Sequence, residues 1–355
     1  MDTKVEASMI RSINIAELAG IVKGRVVGSY DEKMRITGTC AVDRYVETKV
    51  SFIKNRKYGK MLNDLQHAVI LVPEDLVELC EKNPQNVYIV VRDVLNSMMD
   101  IQDFFYKERF IFAQEGISVT AKIDKSAKIG SEVYIGENVY VGKNVVIGSR
   151  AKILHNSCLL DNVIVGSGTY IYPGVCIYAG CQIGDDCLIH SGTQISVDGF
   201  RFEQDMEKGL VRKWLHAGTV IIGNREEIGA NCTIDRATFE GDVTVLSNDV
   251  KLDDQVHIGH NAKIGARTLI AAQTCISGSV KTGQDVWIGA GVTISNGVTI
   301  GDRAKVLLNA VVASDVAEGE IVSGFYAMPH HQWKRVYTKL KEGDTVVILP
   351  PVGGG

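Results

Sequence analysis

Proline is scarce in this sequence, and long hydrophobic runs are missing. Only 6 of the 355 residues are proline, against 36 glycines. This excludes a collagen helix, because collagen needs abundant proline and a glycine at every third position. No stretch of eighteen apolar residues could form a transmembrane helix, and the first residues lack the apolar core of a secretory signal. We therefore expect a cytoplasmic protein without a transmembrane segment.

Neither the charges nor the cysteines point to a nucleic-acid or metal partner. The chain carries 38 basic and 42 acidic residues, a net charge of −4, so no nucleic-acid surface is expected. Its 8 cysteines form no CxxC pair and have no histidines at zinc-finger spacing, so we interpret them as reduced thiols of the core. With 45% hydrophobic and 23% charged residues, the composition is that of a folded protein, and the length allows more than one domain.

An aliphatic residue returns at every sixth position through the middle of the chain. One run covers residues 117–195 without a gap, and a second covers residues 222–312 with breaks at Glu240 and Thr282. Glycine often follows the aliphatic residue directly, as expected for a turn with a positive φ or a close backbone approach. A helix repeats every 3.6 residues and a strand every 2, so neither keeps this period. A hexapeptide β-helix does, because three hexapeptides form a triangular coil whose aliphatic side chains point to the axis. The two runs predict about ten such coils.

These patterns predict a mainly β protein in three parts. Residues 1–105 form a small α/β domain, with a linking helix that extends to residue 116. The parallel β-helix occupies residues 117–316. A loop leaves it at residues 197–218, because Ile195 and Ile222 lie 27 positions apart (222 − 195), which is not a multiple of six. Residues 317–355 form a short α/β tail.

The two end parts carry conventional helix and strand patterns. Strands are predicted at residues 24–27, 34–37, 50–53, 68–72 and 87–91, and helices at 58–65, 74–81 and 94–106. After Val312 the chain leaves the β-helix, a triangular prism, through residues 321–324. A helix near residues 332–340 and a strand at 345–349 follow.

One histidine stands out as a candidate general base. His260 follows the inward Ile258 by two positions, so it lies at a corner of the prism, outside the core. Asp253 and Asp254 occupy the corner one hexapeptide earlier. A carboxylate near an imidazole fixes its tautomer and raises its basicity, as a general base near neutral pH requires. A solvated corner histidine would show the same pattern.

Metal binding is the other use of histidine on a β-helix. A zinc site needs three converging ligands. His155, His190 and His260 are isolated in the sequence, and of the prism histidines only His257 lies close to His260. We therefore expect no metal site.

A second candidate site lies in the first domain. The segment from Ser51 to Tyr58 combines two aromatic residues, an amide and three cations. Phe52 and Tyr58 could stack on a base, and Asn55 could read its edge. A strand end followed by an exposed helix start would look similar.

Several motifs together resemble a known family. The course from Ile13 to Arg335 resembles the UDP-3-O-acylglucosamine N-acyltransferase family of lipid A biosynthesis and its surface-polysaccharide relatives. The motifs are Phe52-x-x-Asn55-x-x-Tyr58, Asp198-Gly199-Phe200, the segment from Ile228 to Arg236, and the segment from Leu252 to Asn261. The hexapeptides alone would indicate only the broad acyltransferase superfamily.

The resemblance implies a left-handed prism and a homotrimer with active sites between its subunits. It implies that His260 is the general base, which takes a proton from a sugar amine as the amine attacks a thioester carbonyl. Asp253 would orient the imidazole, and the backbone N–H of Gly278 would stabilise the oxyanion.

The resemblance also implies a nucleotide-sugar site. Phe52, Asn55 and Tyr58 would hold the pyrimidine, and Phe200 and Asp254 would contribute further substrate contacts. The acyl donor would be acyl-CoA or an acyl carrier protein, and no bound cofactor is expected.

The sequence departs from the family pattern at three places. By equal spacing, the family's second active-site histidine falls on Gly297. The segment before the coil resumes reads Lys213-Trp214-Leu215-His216 instead of Lys-Ile-Pro-Gln. After Leu340 comes an apolar strand in place of the helical arm that meets acyl carrier protein.

These departures favour an N-acyltransferase that moves an acyl or hydroxyacyl group from acyl-CoA to a dTDP- or UDP-linked amino sugar for a surface glycan. The alternative is the lipid A enzyme, which uses acyl carrier protein. Two other classes are weaker. A γ-carbonic-anhydrase-like enzyme would hold stoichiometric zinc or iron, and a non-catalytic scaffold would lack the break at residues 197–218.

Overall fold

The computed structural model describes residues 11–107 and 115–324. The chain divides into two compact units, one up to Phe112 and the other from Ala113. We call them the head and the prism. Among the described residues, no helix has the length and hydrophobicity that crossing a bilayer requires.

The head is a small α/β unit built on four strands. Its elements in chain order are α1 (Ile15–Ile21), β1 (Arg25–Val27), β2 (Val50–Phe52), β3 (Val69–Pro73), α2 (Val77–Lys82), β4 (Val87–Val91) and α3 (Val94–Tyr106), with short 3₁₀ helices at Val42–Arg44, Arg56–Asp64 and Glu74–Leu76. The strand order is β1-β4-β3-β2. Strands β2, β3 and β4 are parallel, and β1 is antiparallel to β4. Both β3 and β4 are apolar and buried nearly throughout, as expected of parallel strands covered on two faces.

The head differs from its sequence-based prediction in three elements. The strand predicted at residues 34–37 is wrong, because Ile36 forms only an isolated bridge with Ile13. Helix α1 was missed, although Asn14 and Glu17 form a capping box at its start. The helix predicted at residues 58–65 is a 3₁₀ helix that begins earlier, at Arg56.

The prism has three parallel sheets, one on each side of a triangle. Sheet 1 contains Gly116–Ile117, Tyr134–Ile135, Lys152–Ile153, Tyr170–Ile171, Leu188–Ile189, Glu227–Ile228, Lys251–Leu252, Leu269–Ile270, Trp287–Ile288, Lys305–Val306 and Ile321–Val322. Sheet 2 contains Lys122–Ile123, Tyr140–Val141, Cys158–Leu159, Cys176–Ile177, Gln194–Val197, Thr233–Asp235, His257–Ile258, Cys275–Ile276, Thr293–Ile294 and Val311–Val312. Sheet 3 contains Lys128–Ile129, Val146–Ile147, Ile164–Val165, Gln182–Ile183, Thr219–Ile222, Val243–Leu246, Lys263–Ile264, Lys281–Thr282 and Thr299–Ile300. The predicted left-handed parallel β-helix is confirmed.

The inward aliphatic residues stack in register along the axis. Ile153 pairs with Ile135 in the coil before it and with Ile171 in the coil after it. All three side chains are fully buried. Because burying one such side chain contributes roughly 1.5–3 kcal/mol, the stacked core supplies much of the stability of the prism.

Two different requirements shape each corner. A Cβ on Gly130, directly after an inward isoleucine, would lie 2.6 Å from the backbone nitrogen of Ser149 in the next coil, so this glycine permits a close backbone approach. The positive φ falls two residues further on, as at Asn138 (φ 57°) and Asn156 (φ 60°). Asparagine tolerates this conformation, and Asn138 Nδ2 donates to Asn156 Oδ1 at 3.2 Å.

Two loops leave the prism. The excursion loop, residues 198–218, carries an antiparallel hairpin of Phe202–Asp205 and Leu210–Lys213. The insertion loop, residues 236–242, separates Thr233–Asp235 from Val243–Leu246. Regular coils repeat every 18 residues, whereas Ile222 pairs with Leu246, a separation of 24 (246 − 222).

The insertion loop corrects the interpretation of Glu240 as a broken repeat. Glu240 lies in an additional stretch of six residues, and such a stretch leaves the six-residue phase of the sequence unchanged. The β-helix was predicted to end at residue 316. It continues further, because Ile321–Val322 pairs with Lys305–Val306 in sheet 1. The helix and strand predicted for the tail lie outside the described residues.

Candidate active site

His260 lies where the chain turns from sheet 2 to sheet 3. The inward Ile258 and Ile264 fix the two strands on either side, so the imidazole projects from the corner between them. It is half-buried, since both loops run past this corner.

Hydrogen bonds on one side of His260 determine which ring nitrogen carries a proton. Asn261 Oδ1 lies 3.0 Å from His260 Nδ1. The same Oδ1 accepts from the backbone N–H of Thr238 at 3.0 Å, and Asn261 Nδ2 donates to Asp242 Oδ2 at 3.1 Å. These partners fix the amide with its oxygen toward the imidazole. An amide oxygen only accepts, so Nδ1 is the protonated nitrogen and Nε2 keeps its lone pair.

The insertion loop supplies most of these partners. Thr238 and Asp242 belong to it, and the Thr238 hydroxyl also lies 3.3 Å from Nδ1 of His260. The backbone of Ala217 in the excursion loop donates to the Thr238 carbonyl at 3.0 Å. The two loops are therefore joined beside His260, and sequence periodicity showed neither Thr238 nor Asp242.

Gly278 lies next to the Nε2 side of the imidazole. A Cβ on Gly278 would lie 2.6 Å from Nε2 of His260 and 2.9 Å from Oδ1 of Asn296. Within the part of the chain that the structure describes, its N–H is in no backbone hydrogen bond. The predicted base and the predicted oxyanion donor are thus brought together, and only glycine leaves room for both.

Asp253 and Asp254 lie at a different corner, between sheets 1 and 2. Asp253 accepts from the N–H groups of Asp254 (2.8 Å) and Ala272 (3.2 Å). Asp254 accepts from the N–H of Ala230 at 2.7 Å. Within one chain, Asn261 and Thr238 contact Nδ1 of His260, and Asp253 does not take the orienting role predicted for it.

An open cleft of about 540 Å³ borders these two carboxylates. His190, Glu227, Lys251, Leu269 and Trp287 also line it. Glu227 lies 3.3 Å from Nε2 of His190, and this imidazole lowers the pKa of the Glu227 carboxyl. The lining of the cleft therefore combines charged and apolar side chains.

Asp235 is a buried carboxylate near His260 that the sequence analysis overlooked. It is 6% exposed, and His257 Nε2 lies 3.7 Å from its Oδ2. Burial raises the pKa of Asp235, while His257 and His260 act in the opposite direction. It directly follows the inward Ile234, and its acidic side chain at that position was the available signal.

The excursion loop brings one more histidine to this corner. The ring of His216 lies beside that of His260, with centroids 5.5 Å apart. Phe200, in contrast, is 89% exposed, and its ring packs on that of Phe202 at 5.0 Å. The sequence had shown His216 only as part of a departure from the family pattern.

In the head, two of the three predicted base-binding residues line one cleft. Phe52 and Tyr58 face a cleft of about 390 Å³ together with Val42 and Lys54. Asn55 is not part of this lining. Its side chain accepts from the N–H of Lys57 at 3.2 Å and caps the 3₁₀ helix.

The described residues contain no group of three or more histidine, cysteine or acidic side chains arranged to hold a metal ion.

Comparison with known proteins gives matches in both sequence and structure. Two family models match parts of the prism, the GMPPB C-terminal domain over residues 117–199 and the hexapeptide repeat of succinyl-transferase over residues 279–313. A UDP-3-O-acylglucosamine N-acyltransferase of Polynucleobacter necessarius is 45% identical over 252 residues, 69% of this chain and 70% of the relative.

Two plant proteins are also similar. A probable UDP-3-O-acylglucosamine N-acyltransferase 2, mitochondrial, of Arabidopsis thaliana is 33% identical over 153 residues, 43% of this chain and 49% of the relative, so the chain spans about half of that protein. The solved structure of Arabidopsis UDP-N-acetylglucosamine acyltransferase superposes with a TM-score of 0.53 at 25% identity, covering 59% of this chain and 71% of that one. With the bacterial relative matched over more than two thirds of its length, the chain belongs to the UDP-3-O-acylglucosamine N-acyltransferase family, as its motifs predicted.

Proposed function

We propose that the chain transfers an acyl group from a thioester to the amine of a nucleotide-linked amino sugar. The observation that carries this proposal is the pairing of His260 and Gly278. An imidazole whose neutral form keeps its lone pair on Nε2 lies next to Gly278. Among the described residues, the N–H of Gly278 is in no backbone hydrogen bond. A base and an oxyanion donor at one point are what acyl transfer requires.

The proposed reaction has two steps. The amine nitrogen attacks the thioester carbonyl, a C–N bond forms, and the nitrogen loses one proton to Nε2 of His260. The carbonyl oxygen, now an oxyanion, accepts a hydrogen bond from the N–H of Gly278. The C–S bond then breaks, the proton on His260 passes to the departing sulfur, and the products are an amide and a free thiol.

The relatives favour a lipid A type of acceptor and donor. Those with high coverage are named UDP-3-O-acylglucosamine N-acyltransferases. We therefore place UDP-3-O-acylglucosamine first as the acceptor, with a hydroxyacyl group on acyl carrier protein as the donor. This was the alternative in the sequence analysis, and the comparisons support it better than the preferred surface-glycan reaction with acyl-CoA.

The surface-glycan reaction is a second candidate because of one structural observation. The segment that departs from the lipid A pattern, Lys213 to His216, ends against His260 itself. A change of sequence next to the proposed base can alter which acceptor sugar the site takes. This candidate would take a dTDP- or UDP-linked amino sugar and acyl-CoA.

A homotrimer with sites between subunits completes the proposal. The Asp253 carboxylate lies at another corner from His260, so a contact between the two would need a second copy of the chain. In the head, the cleft of Phe52 and Tyr58 would hold the pyrimidine. Size-exclusion chromatography with light scattering would test the trimer, and a monomer at assay concentration would contradict it.

A crossed assay tests the acceptor and the donor together. The purified chain is incubated with UDP-3-O-acylglucosamine or a dTDP- or UDP-linked amino sugar, each with hydroxyacyl–acyl carrier protein or acyl-CoA, and the amide is measured by mass spectrometry. Amide formation that His260→Ala abolishes would support the proposal. His155→Ala, which removes a histidine from an uninterrupted coil, is the matched control. If no pair of substrates gave an amide, the proposed function would be wrong.

A further inference from the structure

The end of the excursion loop places a second imidazole at the candidate active site. The rings of His216 and His260 lie 5.5 Å apart and are inclined by 56°. At Gly297, where equal spacing put the family's second histidine, an added Cβ would meet no atom within 4 Å. The loop therefore brings a histidine to the corner, whereas the coil does not.

His216 is buried without hydrogen-bond partners. It is 6% exposed, and neither ring nitrogen has a partner among the described residues. Buried polar atoms are usually paired, because leaving them unpaired costs free energy. An imidazole kept in this condition next to a general base indicates that a ligand completes its hydrogen bonding.

Three side chains converge on Gly199 beside the base. A Cβ on Gly199 would lie 3.1 Å from Nε2 of His216, 3.1 Å from Cδ2 of His260 and 3.2 Å from Oδ2 of Asp235. Since Cδ2 is bonded to Nε2 within the His260 ring, Gly199 adjoins the lone-pair side of the base. A side chain at Gly199 would crowd all three groups, so glycine lets them lie close together.

The charge state of His216 suits an interaction with an amine. Burial lowers the pKa of His216, and the proximity of His260 lowers it further, while the carboxylate of Asp198 opposes the shift. His216 is therefore neutral near pH 7, and a neutral imidazole has a nitrogen that accepts a hydrogen bond.

We propose that His216 selects amines over hydroxyls, because its Nε2 accepts a hydrogen bond from the N–H of the sugar amine that His260 does not deprotonate. This inference rests on the proposed acyl transfer. A neutral amine has two N–H groups, of which one proton passes to His260 while the other stays on nitrogen and becomes the amide N–H. A sugar hydroxyl has a single proton, which His260 would take, so His216 would be left unpaired.

The test compares each acceptor with its hydroxyl counterpart. Wild type, His216→Leu and His216→Gln are assayed with the amino-sugar nucleotide that wild type accepts and with the same nucleotide carrying a hydroxyl in place of the amine. Leucine keeps the packing volume without the acceptor, and glutamine restores an acceptor. Met206→Ala, which changes an 83% exposed residue at the hairpin turn of the same loop, controls for disturbance of the loop.

We expect His216→Leu to lower kcat/KM for the amine by about 10²-fold, the effect of removing one positioned hydrogen bond. The rate with the hydroxyl compound and the KM for the thioester should stay within about threefold, and His216→Gln should recover most of the loss. An equal loss with both acceptors would indicate a structural role and overturn the inference. So would a His216→Leu enzyme that keeps the wild-type preference for the amine.

Equilibrium binding separates this inference from the proposed reaction. Isothermal titration calorimetry of the amino-sugar nucleotide without donor should show about tenfold weaker binding to His216→Leu than to wild type. Its hydroxyl counterpart should bind both proteins equally. If wild type transferred acyl groups but bound and acylated both acceptors alike, the inference would be wrong while the reaction stood. If wild type formed no amide, the reaction would be wrong, and unequal loss of binding would still support the amine contact.

Discussion

The coils at residues 117–183 and those at residues 194–261 follow the same repeat but use their corners differently. In the first region, corner side chains contact their counterparts in neighbouring coils, as Asn138 contacts Asn156. In the second region the corner residue Asn261 contacts Thr238 and Asp242 of the insertion loop. The comparison teaches that the coil supplies positions, whereas the loops supply the groups that prepare a side chain for chemistry.

Replacing the base should separate the two regions most clearly. We expect His260→Ala to lower kcat by about 10² to 10⁴, the usual contribution of a positioned base, with little change in stability. His155→Ala in the uninterrupted region should leave kcat unchanged. Steady-state kinetics and thermal melting measure both variants. A fully active His260→Ala enzyme would rule out proton removal by this residue.

Gly278→Ala tests whether the coil backbone itself takes part. The added methyl group would lie 2.6 Å from Nε2 of His260, so the imidazole must move away from Gly278. Because misplacing a reacting group by about 1 Å can cost about 10²-fold, we expect kcat to fall by that order. Gly174→Ala, at a corner of the uninterrupted region, is the control. An equal loss of kcat in both variants would indicate a general effect on the prism.

A substitution in the other region, the uninterrupted coils at residues 117–183, removes an inward side chain. Ile153→Ala should lower the free energy of unfolding by about 2–5 kcal/mol, because it leaves a cavity in a fully buried stack. The folded fraction should keep the wild-type kcat. Denaturant titration gives the stability. A loss of kcat per folded molecule would show that the two regions are not independent.

One buried acid, which lies between the two loops in the sequence, predicts that the stability depends on pH. Glu226 is 1% exposed and neither of its oxygens has a partner among the described residues. Burial raises the pKa of its carboxyl from 4.5 to about 8. Because the folded state holds this proton more tightly, its contribution is complete below about pH 4.5 and is lost as the pH rises to about 8, at up to roughly 1.4 kcal/mol per pH unit.

Glu226→Val tests this linkage. Valine should fit at this position because Val250 occupies the equivalent position in the next coil, two residues before the inward Leu252. The variant should gain stability relative to wild type between pH 5 and pH 8. Glu137→Val, which changes an exposed carboxylate at a corner of the prism, is the control. A stability difference that did not change with pH would contradict a neutral buried Glu226.

The smallest effect is expected in the head. Phe52→Ala should raise the KM for the nucleotide sugar by about tenfold and lower kcat less, because Phe52 would contribute to binding rather than to the chemical step. Steady-state kinetics with the acceptor varied measure it. A large loss of kcat without a change in KM would assign Phe52 a role that the prism alone was expected to play.

The sequence predicted the prism well because its signal is repeated. A side chain such as Ile153 is specified by the coils before and after it, so local exceptions do not hide the period. The site was only partly predictable. His260 and Gly278 lie on the repeat, and the resemblance to the family predicts their roles.

The other site residues could not be found in this way. Thr238 and Asp242 lie on a loop that adds six residues to its coil, one repeat, and so leaves the period intact. Their partnership with Asn261 depends on how that loop folds back. His216 reaches the corner through a hairpin that no periodicity describes. The orienting role of Asp253 was implied by the family resemblance. Asp253 lies one hexapeptide before His260, and within one triangular coil this interval moves a residue to a different corner.

The insertion loop also bears on how such an enzyme could arise and be altered. Each coil is held by the coils next to it, so a corner can gain residues without shifting a single inward side chain. A change of sequence at one corner therefore need not disturb the column of stacked inward side chains. New loops could be grafted onto the uninterrupted corners of this prism in the same manner, with the column serving as an unchanged frame for an introduced site.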